Sequence, residues 1–347
     1  MGVLKAAPKE DEVSIKDSLK GTLVLDYLKK YKGYGHKTIA RALCAHHPEH
    51  FDSVEQARNS VRYYNGSKGV ADRKIRKLKK HHDGDSHRSN PYRIPAADNK
   101  EYKPYELDKD ARKVLIISDV HVPFHSVSAL TAVINRAKEY QPDTVFINGD
   151  FMDCHHLSRF TKDPGTRHFK QELEICREIL DMLLNEIAPT RCVWKEGNHE
   201  ERYQIYMANR APELLELDHF NFKSVFGLDI IGVEWVDEKR IVKIGNLPII
   251  HGHEYVKSVF SPVNVAKGYY TKAKSSVMVS HHHQTSEHTD PDILGSVMTA
   301  WSIGCLCDLN PKYMPLNRWN HGFAELNLSG SGEFEVDNYR IDKGKIL

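Results

Sequence analysis

The sequence predicts an α/β protein whose body is two packed mixed β-sheets flanked by helices, preceded by a small all-α unit. Three observations carry this. From Lys113 onward short apolar runs alternate with longer amphipathic ones, the pattern of strands with covering helices. After about residue 230 the apolar runs shorten and turns become frequent, which reads as mostly antiparallel sheet. Residues 20–65 instead carry helical periodicity, and the balance of charge changes with the structure type. Lys and Arg outnumber Asp and Glu by 21 to 12 in residues 1–100, whereas the remainder has 28 against 35. A basic head on an acidic body implies two units with different partners.

Residues 1–18 are polar and read as a disordered tail. The head follows at 19–82. TLVLDYLKKY (22–31) makes a first helix and KTIARALCAH (37–46) a second, separated by Gly33-Tyr34-Gly35. The third opens on Ser53-Val54-Glu55-Gln56, a capping-box pattern in which Ser and Gln satisfy free backbone N–H groups. Val54, Ala57 and Val61 then share one apolar face, which leaves Arg58 and Arg62 to point elsewhere. Asn65-Gly66 ends this helix. Six bases in eight residues come next: Arg73, Lys74, Arg76, Lys77, Lys79 and Lys80. The polar, Pro-containing stretch 83–112 reads as a linker, and the body occupies 113–347. In the body VLIIS (114–118), TVFIN (144–148) and CVWKE (192–196) are buried strands. The stretches 127–140 and 169–187 are their covering helices. VEWV, IVKI, LPIIH, SVMVS, SVMTAWSI, GFAELNL and FEVDNYRI supply the later strands, and Trp319 with Phe323 reads as core packing in one of them.

Composition narrows the class. With 40% hydrophobic and 28% charged residues the chain resembles an ordinary globular protein. No run approaches the roughly 20 apolar residues that cross a bilayer, and MGVLKAAPKEDEVSIK lacks the apolar core of a secretory signal. The expected location is cytoplasmic, with no membrane partner. Six scattered cysteines agree, since they show no disulfide-framework spacing. Cys305-x-Cys307 puts two thiols close together, but two thiols alone cannot close a zinc site.

Five apolar runs end in polar clusters. VLIIS leads into Asp119-Val120-His121, TVFIN into Gly149-Asp150-Phe151-Met152-Asp153, and CVWKE into Gly197-Asn198-His199-Glu200. LPII ends at His251-Gly252-His253, and SVMVS at His281-His282-His283. Ligands gather at the carboxyl ends of strands in sheets with helical crossovers, so five such clusters can converge on one site. Aspartate, imidazole and amide oxygen are donors for hard to borderline divalent metals. Residues two apart on a strand point the same way, so Asp119 with His121 can clamp one ion, as can His281 with His283.

These motifs resemble the calcineurin-like metallophosphoesterase family, whose pattern runs D-x-H, G-D-x-x-D, G-N-H-[D/E], a lone H, then G-H-x-H. Residues 119–121, 149–153, 197–200 and 251 match in order, and the last element reads Ser280-His281-His282-His283, with Ser in place of Gly. His253 is set aside for that element because Tyr255 stands where a second His is needed. The resemblance covers about 113–340 and implies a calcineurin-like four-layer sandwich. It also implies two divalent metal ions, manganese favoured over iron, zinc or nickel. Asp119, His121 and His283 would hold one ion, Asn198, His251 and His281 the other, and Asp150 would bridge. Such a pair, roughly 3.5–4 Å apart, lowers the pKa of a bridging water for in-line attack on phosphorus. The resemblance makes His199 an acid or electrostatic stabiliser at the leaving oxygen, oriented by the Asp153 carboxylate. His155, Arg159 and Arg202, beside the motifs, are candidate contacts to substrate phosphate.

The family hydrolyses many phosphate esters, so the motifs fix reaction type better than substrate. Its Ser/Thr phosphatases extend G-D-x-x-D with Arg-Gly, where Cys154-His155 stands here, and they lack the second His that His283 supplies. That His is typical of nuclease and diesterase branches. Three short helices with a capped, Arg-bearing third resemble a helix-turn-helix unit. The basic run that follows suits phosphate neutralisation. The expectation is therefore a phosphodiesterase, favouring a DNA nuclease, in a layout resembling phosphoesterases of phages and mobile elements. The alternatives are a small-molecule or protein phosphatase whose head docks a partner, and a non-catalytic nucleic-acid-binding protein on the same scaffold.

Overall fold

A computed structural model describes residues 10–66 (backbone alone for 10–18), 94–95, 102–107, 111–160, 168–237, 239–255 and 263–347. The chain divides into two compact units, Met1–Asn99 and Lys100–Leu347.

The first unit holds three helices, α1 (Glu10–Lys30), α2 (His36–His46) and α3 (Val54–Tyr64). Helix α1 starts inside the stretch expected to be a disordered tail. Lys29 and Lys30 in its last turn complement the helix dipole. Val24, Ile39, Ala40, Leu43, Phe51, Ala57 and Val61 form the core. Ser53 caps α3 by accepting the Gln56 N–H at 3.2 Å. The Gln56 side chain reaches back to accept from the N–H of Asp52 at 2.7 Å, one residue earlier than a standard capping box. Arg58 pairs with Glu55 on the same helix at 3.4 Å, and Arg62 is half-buried. The basic run 73–80 lies outside the described residues.

The second unit is built on two mixed sheets. The larger contains β2 (Lys113–Ile117), β3 (Thr144–Asn148), β4 (Arg191–Lys195) and β5 (Val233–Val236) in parallel. A meander of β11 (His321–Leu328), β12 (Phe334–Asp342) and β13 (Lys345–Ile346) joins antiparallel along β2. The smaller sheet has the order β1-β6-β7-β8-β10-β9, from β1 (Tyr105–Leu107), β6 (Val242–Ile244), β7 (Leu247–Ile249), β8 (Val277–Val279), β9 (Ser286–Pro291) and β10 (Val297–Ser302). Strand β1 falls within the stretch read as linker. It pairs parallel with β6 from Tyr105↔Val242 to Leu107↔Ile244 and buries Leu107, so the body begins before Lys113. Three residues are too few to display a period-two pattern.

Alternation along each strand separates two cores. Val114, Ile116, Phe146, Val193 and Ala324 face Ile244, Ile249 and Met278 between the sheets. Leu115, Ile117, Val145, Ile147 and Trp194 turn outward onto α4 (Val127–Tyr140) and α5 (Phe169–Ile187) through Val133, Ala137, Leu173 and Leu180. Helix α6 (Glu201–Arg210) follows β4, and α7 (Val265–Ala273) covers the smaller sheet through Val265 and Tyr269. Burial on both faces is why β2, β3 and β4 read as continuous apolar runs. The carboxyl ends of β2, β3, β4, β7 and β8 carry the five polar clusters.

Candidate metal centre

The loops leaving these strands bend sharply at the candidate ligands themselves. Asp119, His121, Asp150, His281 and His283 all have left-handed backbones, with φ between 51° and 66°. Such conformations are costly for non-glycine residues and persist where surrounding structure enforces them. Close packing of two loops demands Gly149 and Gly197. A Cβ on Gly149 would meet the His251 ring at 2.6 Å and the Gly197 Cα at 2.8 Å, and one on Gly197 would strike Asp150. Ser280 is not among the positive-φ residues, so a side chain there brings no backbone strain. Its hydroxyl lies 3.1 Å from the Asn148 carbonyl and 2.9 Å from the Asn148 amide, tying the ends of β3 and β8.

Seven side chains meet in this space. His283 Nε2 lies 3.1 Å from Asp119 Oδ1 and 3.2 Å from His121 Nε2. Asp150 Oδ2 lies 3.2 Å from His251 Nε2 and 3.9 Å from His121 Nε2, so it faces both halves. Asn198 Oδ1 is 3.2 Å from His251 Nε2, and the His281 N–H donates to Asp119 Oδ2 at 3.1 Å. Three groups of donors converge closely enough to hold a metal ion: Asp150, His251 and His281; His121, Asp150 and His199; and His121, His283 and Cys307.

Two of the candidate ligand rings are oriented by a partner at Nδ1. His251 Nδ1 lies 2.6 Å from the Asn148 carbonyl, which can only accept, so Nδ1 carries a proton and Nε2 is the nitrogen turned to the centre. His121 Nδ1 faces Asp153 Oδ2 at 3.2 Å, with the same consequence. Nitrogen and carboxylate donors thus point into one buried space, an arrangement that suits a cation. Burial would raise the pKa of Asp119, but the imidazoles of His283 and His121 hold it well below the carboxylate range. Asp150 is likewise held down, against burial, by His199 and His251. His251 is opposed by burial yet pushed up to about 9 by Asp150, whereas burial and His251 drive His281 down to about 3. Buried anionic oxygens with imidazole and amide donors fit divalent cations.

Around this set stand residues whose roles the sequence did not reveal. Glu200, fully buried, accepts the N–H groups of Asp150 (2.9 Å), Met152 (3.1 Å) and Gly197 (2.9 Å), clamping two ligand loops together. Glu254 accepts from the N–H of His251 at 2.9 Å and of Gly252 at 2.6 Å, and is itself paired with buried Lys195 at 2.7 Å. Cys307 Sγ lies 3.8 Å from His283 Nδ1, which places this thiol beside the centre. Trp319 is not core packing in a strand. It precedes β11 and places its ring 4.1 Å from that of His283.

Asp153 contacts more than His199. Its carboxylate meets His121 as above, and its backbone carbonyl lies 3.0 Å from His199 Nδ1. Arg202 donates to that carbonyl at 2.8 Å and reaches His199 Nε2 at 2.8 Å. His155 begins a short turn 6.4 Å from the Phe124 ring, and Arg159 stacks over its neighbour Phe160. Of the three candidate phosphate contacts, Arg202 is the one placed directly against His199 and Asp153. His253 is buried beside His251, 5.3 Å between rings, outside the three donor groups.

Fold and site together define a metallophosphoesterase. The calcineurin-like phosphoesterase family model matches residues 112–313, more than half of the chain, and the chain belongs to that family. The chain is similar to the gene 54 protein of Mycobacterium phage L5, 28% identical over 251 residues that cover 65% of this chain and 97% of that protein. It is also similar to the gene 54 protein of Mycobacterium phage D29, 27% identical over 256 residues, covering 66% and 98%. Among solved structures it is similar to Vps29 from Entamoeba histolytica at 16% identity and a TM-score of 0.36, covering 68% of this chain and 96% of that one. Members of the family bind divalent metals, and among the described residues no helix is long and apolar enough to cross a membrane.

Proposed function

We propose that this chain is a dinuclear-metal phosphodiesterase acting on nucleic acid, with DNA as the favoured substrate. The observation that carries the reading is the placement of Asp150 Oδ2, within 3.2–3.9 Å of His251, His199 and His121 and so between two donor sets. Asp119, His121 and His283 hold one ion, Asn198, His251 and His281 the other, and Asp150 both. Manganese suits this mixed oxygen and imidazole set, with iron, zinc or nickel as further candidates. When bound, such a pair supplies Lewis acidity to phosphoryl oxygens and acidifies water. The protein's own groups do the rest. Glu200 and Glu254 fix the ligand loops through backbone N–H groups, so the donors need little reorganisation on binding. His199, kept in place by Asp153, stabilises the leaving oxygen with a hydrogen bond from its Nδ1 hydrogen. Arg202 adds a permanent positive charge beside it, suited to a phosphate oxygen.

The test uses the full chain with added manganese on linear, circular and single-stranded DNA and on a panel of nucleotides. Cleavage of DNA that chelation abolishes is expected. Asp150→Asn should lose turnover and bind less metal by elemental analysis, because it removes the shared carboxylate. Near-parent turnover in that variant would sink the site assignment. Hydrolysis confined to phosphomonoesters or phosphopeptides would replace the nuclease reading with a phosphatase.

A further inference from the structure

The segment 308–320, between β10 and β11, is anchored at both ends to loops that carry candidate ligands. The Asp308 N–H donates to the Phe124 carbonyl at 2.8 Å, three residues after His121, and the Asn320 N–H donates to the His283 carbonyl at 2.9 Å. Inside the segment the Asn317 amide donates to the carbonyls of Leu309 and Met314 at 2.8 Å each, and its oxygen accepts the Trp319 N–H at 2.8 Å. Pro311 and Pro315 remove further backbone freedom. The segment is thus braced rather than loose, yet it leaves large apolar side chains in the open. Tyr313 is 75% exposed although its ring lies only 6.3 Å from that of Trp319, which in turn packs on His283.

An open aromatic ring one ring away from a candidate ligand needs an occupant with a flat face and a phosphate attached. We propose that Tyr313, braced by Trp319, is a stacking platform for an unpaired nucleobase of the nucleotide whose phosphate lies at the centre. This rests on the nucleic-acid reading above and deepens it. Stacking tolerates any base because every base has a π-face. Lys312 and Arg318 give the segment a positive surplus over its one acid, Asp308, in keeping with a polyanionic strand. Bases in a duplex are already stacked on both sides, so the platform favours single strands and frayed ends.

The experiment compares parent, Tyr313→Ala and Tyr313→Phe on a single-stranded oligonucleotide and on the same strand with an abasic residue at the cleaved position. In the parent, KM for the abasic strand should be about tenfold higher. Tyr313→Phe should keep that ratio and Tyr313→Ala should reduce it to about one. A ratio that survives in Tyr313→Ala overturns the platform, as does a parent that does not distinguish the two strands. A second readout needs no turnover: affinity for dAMP against 2-deoxyribose 5-phosphate, followed by tryptophan fluorescence. A preference for dAMP of about tenfold that Tyr313→Ala abolishes supports the platform. That result with no cleavage of any DNA retains the platform for free nucleotides and discards the nuclease reading. Equal affinities in the parent discard the platform, whatever the DNA assay yields.

Discussion

The tautomer of His199 follows from its two neighbours. Arg202 has only hydrogens to offer, so the Nε2 it meets at 2.8 Å is an acceptor and the proton resides on Nδ1, toward the Asp153 carbonyl. Burial lowers the pKa of this imidazole despite the nearby carboxylates of Asp150 and Asp153, so the neutral ring is the resting form. His199→Gln should therefore retain metal at parent stoichiometry while the rate falls by about 10²–10⁴-fold, the range for acid–base groups. Elemental analysis beside single-turnover kinetics checks this. Loss of an ion in the variant would make His199 a ligand instead. Asp119, His121, Asp150, Asn198, His251, His281 and His283 are legible in the sequence because each sits a fixed step past a buried strand. Glu200 completes G-N-H-[D/E], but neither its role nor that of Glu254 is legible, because both work by accepting backbone N–H groups. Such a role leaves no spacing pattern, and a carboxylate after a strand looks like any other. Trp319 misleads for a related reason, since apolarity alone does not tell a core ring from one packed on a ligand.

Helix α5 reaches the loop that follows Asp153 through Glu172. Glu172 is 1% exposed and its carboxylate accepts the Cys154 N–H just past Asp153. Burial and then the Asp153 charge push its pKa up to about 8, against the opposing backbone donors of Cys154 and His155. In the unfolded chain the value returns to about 4.3. Below that both states are protonated and the group is neutral to stability. Between there and about 8 the folded state keeps a proton the unfolded chain has released, so stability falls as pH rises, by up to about 1.4 kcal/mol per unit. Glu172→Gln still accepts the N–H and cannot ionise. It should flatten the decline between pH 5.5 and 8.5 in urea unfolding, and unchanged slopes in both proteins would rule the group out. The elements themselves show where sequence suffices. Strands β2, β3 and β4 and helices α4 and α5 announce themselves by burial on two faces or one. Strand β1 is held by its partner β6 and is too short to show a period of its own.

At the scale of the whole chain the question is what the head contributes. Its helices share a core of their own, and all the proposed ligands lie in Lys100–Leu347. Arg58 pairs with Glu55, and half-buried Arg62 and the bases of the 73–80 run are the other contacts proposed for a polyanion. A fragment spanning Lys100–Leu347 retains β1 with its pairing to β6 and every ligand, so it should hydrolyse a small activated diester at a rate near that of the full chain. Its affinity for DNA should fall, and the dependence of binding on salt should flatten by about 0.9 in log–log slope for each phosphate no longer neutralised. Charge reversal across 73–80 in the full chain should weaken binding alike for all sequences. Replacing Arg62 should matter more where sequence is read. Binding isotherms over a salt series, with cleavage measured at matched ionic strength, separate these outcomes. If the fragment binds and cuts DNA as the full chain does, the head is not a DNA module. A helical unit with its own core and a paired Arg58 is then better suited to docking a protein, and the charge difference between head and body serves that contact instead.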